Sequence, residues 1–250
     1  MSFSDEEVER YARHLVLREI GGPGQQRLKT ARVLIVGAGG LGAPAALYLA
    51  AAGVGEIVIT DPDVVALSNL QRQVLYATAD EGRAKVEAAA ERLAALNPNV
   101  RLRPLAERLD ATNARNLIAG HDLVLDGTDD FATRLAVNAA CMAEHVPLVS
   151  GAIGRWTGQI GVFTGRPCYR CLVPEIPPDA ETCVAVGVVG ALAGVVGAMM
   201  ALEAVKLIAE AGEPLTGRLL IYDALAAEAR TVRIGPDPDC PVCGFGAVAS

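Results

Sequence analysis

The chain has 250 residues, of which 52% are hydrophobic, and a net charge of −7 at pH 7. A chain of this length can bury one substantial core or carry one and a half domains. Its 29 acidic residues outnumber 22 basic ones, and no run of Lys or Arg offers the basic surface that follows nucleic-acid phosphates. These properties argue against a nucleic-acid-binding surface, although a tRNA-acting protein remains an alternative, and they favour a small-molecule or protein substrate.

The N-terminal segment predicts a helix and no targeting signal. Ser4 and Glu7 have the spacing of a capping box, which predicts an amphipathic helix over the first 19 residues, ended by Gly21 to Gly24. The acidic start lacks the apolar stretch of a secretory signal. We therefore expect a cytoplasmic protein with reduced thiols.

Strands and helices alternate between residues 32 and 150. An apolar strand at 32–36 leads through a glycine turn into a helix at 41–52, and a second strand follows at 56–60. Further strands are predicted near 100–104, 123–125 and 147–150, and further helices at 85–96, 112–119 and 132–144. This alternation predicts an α/β fold with a Rossmann-like, doubly wound and mostly parallel sheet.

The C-terminal part should extend that sheet. Strands are predicted at 158–164, 218–222 and 229–233, with a crossing loop at 174–178. The uncharged run 183–202 is long enough to span a bilayer, but its glycines and the lack of a basic flank favour a helix in the core or at a subunit contact, and no membrane. We expect one domain over 1–250, in which 1–150 form the nucleotide-binding part and 151–250 carry the crossover loop, the apolar helix, the last strands and the zinc site.

The glycine turn predicts a nucleotide site. Gly37, Gly39 and Gly42 allow a tight turn, a close approach of the backbone to phosphate and close packing of helix on sheet. Asp61 ends the next strand, where a carboxylate can accept from a ribose hydroxyl. A nicotinamide-dependent oxidoreductase would show the same residues, so this class remains an alternative.

Polar residues elsewhere favour a triphosphate. The cations Arg13 and Lys85 lie in the N-terminal half, which also holds a polar segment at 68–72, and the acids Asp129 and Asp130 follow the predicted strand at 123–125. If they converge, they form a site with several positive groups and an acid able to hold Mg²⁺. Each residue alone could instead be a solvated helix charge or a helix cap.

Six cysteines divide into two pairs and two single residues. Each pair has the Cys-x-x-Cys spacing that lets two sulfurs bind one Zn²⁺, so the pairs predict a peripheral zinc site with four cysteine ligands. Unrelated thiol pairs or disulfides are the alternative. Cys141 is expected in the core, and Cys183 opens the apolar run. The predicted zinc ligands are Cys168, Cys171, Cys240 and Cys243.

Taken in order, these segments resemble the MoeB/ThiF family of adenylyltransferases, bacterial relatives of the ubiquitin-activating enzymes. One departure is Asp130, where the family usually has Asn. The matching segments, which cover nearly the whole chain, are Arg10–His14, Gly37–Gly42, Asp61–Asp63, Leu67–Gln73, Lys85, Gly127–Asp130 and both cysteine pairs.

The resemblance implies ATP-dependent adenylation of the C-terminal Gly-Gly carboxylate of a small ubiquitin-fold sulfur-carrier protein, with release of pyrophosphate. It also implies a homodimer, because Arg13 would reach the partner's site, and a covalent link from Cys183 to the carrier, as in the thiamin branch. The implied ATP contacts are Gly40 and its neighbours with phosphate, Asp61 with ribose, Ser68, Asn69, Leu70, Gln71, Arg72 and Lys85 with the triphosphate, Asp129 with Mg²⁺, and Asp130 beside it.

The branch of the family is a further expectation. Ser150-Gly-Ala and Gly158-Gln-Ile resemble the branch that serves a MoaD-like carrier in molybdenum cofactor biosynthesis. The same chemistry on a ThiS-like thiamin carrier is one alternative. A non-catalytic, zinc-stabilised interaction protein is another.

Overall fold

The computed structural model describes residues 3–176 and 187–245. Eight strands form one sheet in the order β3-β2-β1-β4-β5-β6-β7-β8. The strands are β1 Arg32–Val36, β2 Glu56–Thr60, β3 Arg101–Leu105, β4 Leu123–Asp126, β5 Leu148–Gly154, β6 Thr157–Phe163, β7 Arg218–Asp223 and β8 Glu228–Arg233.

The sheet has a parallel and an antiparallel part. Strands β1 to β5 pair in parallel, whereas β6, β7 and β8 join by antiparallel pairing. Strand β2 is buried at every position and β1 at all but its first, since helices cover both faces there. The edge strand β8 is exposed throughout. The predicted fold class, a mostly parallel doubly wound sheet extended by C-terminal strands, is confirmed.

Helices lie on both faces of the parallel part. Alternate residues of one strand enter separate cores: Ile35 packs in the core under α4, α5 and α9, and Leu34 in the core under α6, α7 and α8. The helices are α1 Asp5–Arg10, α2 Ala12–Leu15, α3 Gly21–Thr30, α4 Gly42–Ala51, α5 Lys85–Leu96, α6 Ala114–Ile118, α7 Phe131–Glu144, α8 Tyr169–Leu172 and α9 Gly190–Ala209.

The apolar helix α9 packs against α4, β5 and β6. It is long and apolar enough to cross a membrane, but its small residues serve packing here. A side chain at Gly197 would come within 2.4 Å of Pro44 and 2.6 Å of the Leu41 carbonyl oxygen. The face of α9 toward the sheet is buried, whereas Leu202 on its other face is 59% exposed. The helix is therefore part of the core with one open face, and the predicted start at residue 183 lies outside the described residues.

The N-terminal prediction was wrong in two places. The first helix breaks at Tyr11, whose hydroxyl accepts from Asn97 Nδ2 at 2.8 Å and whose ring contacts the position of Gly53. The glycine-rich segment begins helix α3 instead of ending a helix. Pro23 is tolerated there because the first turn of a helix has no partner for its backbone N–H groups.

Candidate active site

A cleft of about 620 Å³ opens at the carboxyl ends of β1, β2 and β4. The sheet order reverses between β1 and β4, the place where doubly wound folds bind ligands. The structure brings most of the sequence-predicted site residues to this cleft. Those that line it are Gly37, Gly39, Gly40, Asp61, Asn69, Arg72, Lys85, Asp129 and Asp130.

The glycine turn connects β1 to α4, and its glycines have different structural reasons. Gly37 has φ +90°, a conformation that other residues rarely adopt. A Cβ at Gly42 would lie 1.8 Å from the Gly37 carbonyl oxygen, whereas one at Gly39 would meet only Gln73 Nε2 at 3.6 Å. Helix α4 begins without a side-chain cap. Its first N–H groups are therefore suited to an anion in the cleft.

Asp61 locks this turn. Its Oδ2 accepts from the Ala38 amide and its Oδ1 from the Asp63 amide, both at 2.8 Å. The Ala38 carbonyl oxygen in turn accepts from the Tyr76 hydroxyl at 2.7 Å. Asp61 is 6% exposed, so it holds the backbone of the turn in addition to the ribose contact that the resemblance implies.

The two predicted cations that line the cleft, Lys85 and Arg72, differ in their partners. Lys85 is buried, with Nζ 2.9 Å from Asp63 Oδ2 and 4.0 Å from Asp61 Oδ1. Arg72 donates to the Ser68 carbonyl oxygen at 3.1 Å and has no carboxylate within 4.0 Å among the described residues. Of these two, Arg72 is thus the cation more available to a new anionic partner. Three neighbours in the predicted phosphate segment lie outside the cleft lining: Ser68, Leu70 and Gln71.

The loop after β4 presents one acid to the cleft and uses another as a cap. Asp129 is exposed and lines the cleft. Asp130 Oδ2 accepts from the Thr133 amide at 2.8 Å and from its hydroxyl at 2.7 Å, which lowers the pKa of Asp130. An Asn has an oxygen that could cap in the same way. The departure at position 130 is therefore compatible with the local structure, because the charge lies at the positive end of α7.

Sequence reasoning missed Arg134, a buried cation at the floor of the cleft. Its Nη2 donates to the carbonyl oxygens of Thr128 and, at 2.7 Å, Gly151, and its Nη1 lies 3.3 Å from Ser150 Oγ. Burial alone would lower the pKa of Arg134, but Asp126 and other groups nearby keep it raised. The only available signal was its place one turn into α7.

The predicted residue Arg13 lies in another part of the described structure. Arg13 belongs to α2 and does not line the cleft of its own chain. Helix α2 is held through His14, whose Nδ1 is 2.9 Å from Gln25 Oε1. Cys183 lies outside the described residues.

The four paired cysteines form one cluster. Their sulfurs lie within 4.8 Å of one another, with Cys168 and Cys240 3.7 Å apart and Cys171 and Cys243 3.3 Å apart. Four ligands at about 2.3 Å in a tetrahedron stand roughly 3.8 Å apart, whereas a disulfide requires about 2.05 Å. The cluster thus fits a metal ion, and the disulfide alternative is wrong.

Groups around the cluster support a metal site. Asn138 Nδ2 lies 3.6 Å from Cys168 Sγ, and the Asp237 amide donates to Cys171 Sγ at 3.5 Å. Such outer donors orient metal-binding sulfurs. Burial raises the pKa of the Cys168 and Cys243 thiols, whereas at Cys240 burial is outweighed by hydrogen bonds from the Cys243 and Val242 amides, which lower its pKa. A cation would hold all four sulfurs together as thiolates. Cys141 is 4% exposed in the second core, as expected.

The fold and the relatives define the class of the protein as an adenylyltransferase. The model of the ThiF family matches residues 11–242, and the chain belongs to this family. It is 48% identical to a molybdopterin-synthase adenylyltransferase of Escherichia coli, over 96% of this chain and 98% of the relative. It is 48% identical to a SAMP-activating enzyme E1 of Haloferax volcanii, over 100% and 94%, and 47% identical to a sulfur carrier protein adenylyltransferase of Thermus thermophilus, over 98% and 93%.

Solved structures agree on the fold. Escherichia coli MccB matches with a TM-score of 0.85 over 99% of this chain and 75% of that chain, at 24% identity. A structure of MccB with ATP matches with a TM-score of 0.77 over 89% and 68%, at 25% identity. The alternative of a nicotinamide-dependent oxidoreductase has no support among these relatives.

Proposed function

We propose that this protein adenylates the C-terminal Gly-Gly carboxylate of a small ubiquitin-fold sulfur carrier, with MgATP as the second substrate. The observation that carries the proposal is the convergence of helix N-terminal amides, Arg72, Lys85 and Asp129 on one cleft at the switch point of the sheet. Relatives named as sulfur-carrier and molybdopterin-synthase adenylyltransferases support the carrier as the partner.

In this reaction a carboxylate oxygen bonds to the α-phosphorus of ATP, the bond from that phosphorus to the bridging oxygen breaks, and pyrophosphate leaves with the electron pair. The carboxylate is already ionised at neutral pH, so no general base is required. This fits a cleft that has no His among its described lining residues. The difficulty is the approach of one anion to another, which cations and fixed amides reduce.

In the proposed reaction the groups of the cleft bind different parts of MgATP. The amides after Gly39 and Gly40 bind phosphate, Arg72 and Lys85 neutralise it, and Asp61 meets the ribose. Lys85 must share its charge between Asp63 and the nucleotide, which the exposed side chain of Asp63 allows by moving aside. Asp129 would hold Mg²⁺, which supplies further positive charge to the phosphates. Asp130 caps helix α7 and so helps to fix the loop that carries Asp129.

We also propose that the cysteine cluster holds structural Zn²⁺ and that the protein acts as a homodimer in the cytoplasm. Four thiols with no fifth His, Cys, Asp or Glu ligand among the described residues suit Zn²⁺ in a closed site. Exposed apolar side chains support the dimer, since Val16 and Leu17 next to α2 are 77% and 46% exposed and Leu202 of α9 is 59% exposed. In such a dimer Arg13 would enter the partner's cleft.

The carrier is proposed to be MoaD-like, with a ThiS-like carrier as the alternative. The experiment is exchange of pyrophosphate into ATP by the purified protein with each carrier in turn. We expect exchange that depends on the MoaD-like carrier and on its terminal Gly-Gly. Exchange with the ThiS-like carrier alone would reassign the branch, and exchange with neither would contradict the proposed function.

Asp129→Ala tests the magnesium assignment. The side chain is exposed and makes no hydrogen bond or ion pair with the described residues, so the variant should keep the fold and the metal of the cysteine cluster while exchange is abolished. Glu213→Ala is the matched control, because Glu213 is exposed, lies outside the cleft lining and likewise makes no side-chain hydrogen bond or ion pair with the described residues; it should leave exchange intact. Near-normal exchange in the Asp129 variant would remove the assignment.

A further inference from the structure

The cysteine cluster and the cleft are joined through one turn of helix α7. Arg134 and Asn138 stand four positions apart and so lie on one face of the helix. Both are buried, at 5% and 1% exposure. Arg134 donates hydrogen bonds to backbone carbonyl oxygens at the floor of the cleft. Asn138 contacts Cys168 Sγ, and its Oδ1 accepts from the Tyr169 amide at 2.8 Å.

Tyr169 closes the connection. It follows Cys168 directly, and its side chain lies beside Arg134 at the floor of the cleft, where the two side chains interact electrostatically. Its ring packs edge-on against Phe163, with centroids 5.6 Å apart. The place of the Tyr169 hydroxyl is thus set by the ring contact, by Asn138 and by the neighbouring metal ligand. The hydroxyl in turn limits where the guanidinium of Arg134 can lie.

Arg134 fixes the loop that carries the proposed magnesium ligand. It donates to the carbonyl oxygen of Thr128, directly before Asp129, and to that of Gly151 on β5. Among the described residues no carboxylate lies within 4.0 Å of Arg134, so these carbonyl oxygens are its close partners, with Asp126 and Asp129 acting at longer range. A buried guanidinium held in this way leaves little freedom for the loop.

We propose that Tyr169 and Arg134 are positioning residues that make the geometry of the loop 127–130 depend on the cysteine cluster. The metal site then sets the place of Asp129 as well as closing the periphery of the fold. This inference rests on the proposed function for its effect on catalysis, whereas the physical coupling does not depend on it.

Tyr169→Phe removes only the hydroxyl and keeps the ring contact with Phe163. We expect unchanged metal content, pyrophosphate exchange reduced roughly tenfold, the order of one polar interaction with a charged group, and a higher Mg²⁺ concentration for half-maximal exchange. Backbone hydrogen exchange in 127–130 should become faster. Tyr222→Phe, on β7 and outside the cleft lining, is the matched control and should change none of these properties.

The readouts separate the possible failures. Wild-type Mg²⁺ dependence and wild-type hydrogen exchange at 127–130 in the Tyr169 variant would overturn the inference. Absence of pyrophosphate exchange in the unmodified protein would contradict the proposed function. Backbone hydrogen exchange would still test the coupling in that case. If Tyr169→Phe loses the metal, Arg134→Lys decides: a raised Mg²⁺ requirement with retained metal supports the inference, and an unchanged requirement contradicts it.

Discussion

At the scale of the residue, two glycines of one turn make opposite predictions. Gly42→Ala places a Cβ 1.8 Å from a carbonyl oxygen, so we expect a loss of about 3 kcal/mol or more in the free energy of unfolding. Gly39→Ala has room in the protein and should unfold like the wild type. It should nevertheless weaken ATP binding, because the methyl group would stand between the turn and the phosphates. Thermal unfolding and ATP titration of both variants check this.

The two variants test separate properties of the glycine turn. Wild-type ATP affinity in Gly39→Ala would show that phosphate does not approach this amide. A stable Gly42→Ala variant would show that the turn can move away from α4. The first result concerns only phosphate binding at Gly39, and the second concerns only the packing of Gly42.

Single residues also show how far the sequence could go. Strand ends sufficed to gather Asp61 and Asp129, because parallel strands place their carboxyl ends at one edge, whereas Lys85, the first residue of α5, was expected there only through the family resemblance. Asn69 and Arg72, three positions apart, share the face toward the cleft, but the residues between them do not. Arg134 could not be found, since a lone Arg in an amphipathic helix is usually solvated and only the folded chain shows its burial.

At the scale of the element, the helix that precedes Arg13 depends on a buried carboxylate. Glu7 accepts from the Ser4 amide at 2.8 Å and pairs with Lys29 at 2.8 Å, and the bond with Lys29 is the main cause of its lowered pKa. The stability from this ionised group is present above the unfolded pKa of about 4.5 and is lost as pH falls through the lower folded value. Glu7→Gln should therefore cost about 1 kcal/mol at pH 7.

Denaturant unfolding of wild type and Glu7→Gln between pH 7 and roughly pH 3 checks this prediction. The difference between the two proteins should shrink below pH 4.5, because the Glu7 carboxylate of the unfolded chain takes up a proton at a higher pH than that of the folded protein. Glu6→Gln is the matched control, since Glu6 lies on the same helix turn with a largely exposed side chain. A difference between wild type and Glu7→Gln that does not change with pH would show that charge at position 7 has no part.

Elements with a strong periodic pattern were predictable, and those set by contacts distant in sequence were not. Strand β1 and helix α5 lie where their apolar patterns place them. Helix α3 was missed because glycines and a proline normally interrupt helices, yet here Gly24 is buried against Ile20 and Ala209. Its helical state comes from packing with α9, a partner far along the chain.

At the scale of the whole molecule, the cysteine cluster ties two distant segments together. Cys168 and Cys240 are 72 positions apart, so a metal bound by the cluster would close a long loop. A cross-link over such a loop is worth about 4 kcal/mol in the unfolded-chain model. Removal of the metal by a chelator, or Cys240→Ser, should lower the free energy of unfolding by this order and loosen the segments around both pairs.

Elemental analysis and denaturant unfolding measure the two parts of this prediction. We expect one zinc per chain in the wild type and none in Cys240→Ser. Cys141→Ser is the control for loss of a thiol, because Cys141 lies outside the cluster and should keep the metal. Equal stability with and without the metal would mean that the sheet alone holds the C-terminal segment.

The proposed dimer predicts that two inactive variants recover activity when they pair with each other. Arg13→Ala removes the group that a protomer gives to its partner, and Asp129→Ala removes a group of its own cleft, so each variant alone should be inactive. In a mixed dimer the cleft of the Arg13 variant keeps Asp129 and receives Arg13 from the other chain. With random pairing about a quarter of all clefts are then complete, and co-expressed variants should recover about a quarter of the wild-type pyrophosphate exchange. No recovery in demonstrated mixed dimers would show that Arg13 does not act across the dimer, whereas activity of the Arg13 variant alone would show that it is not needed.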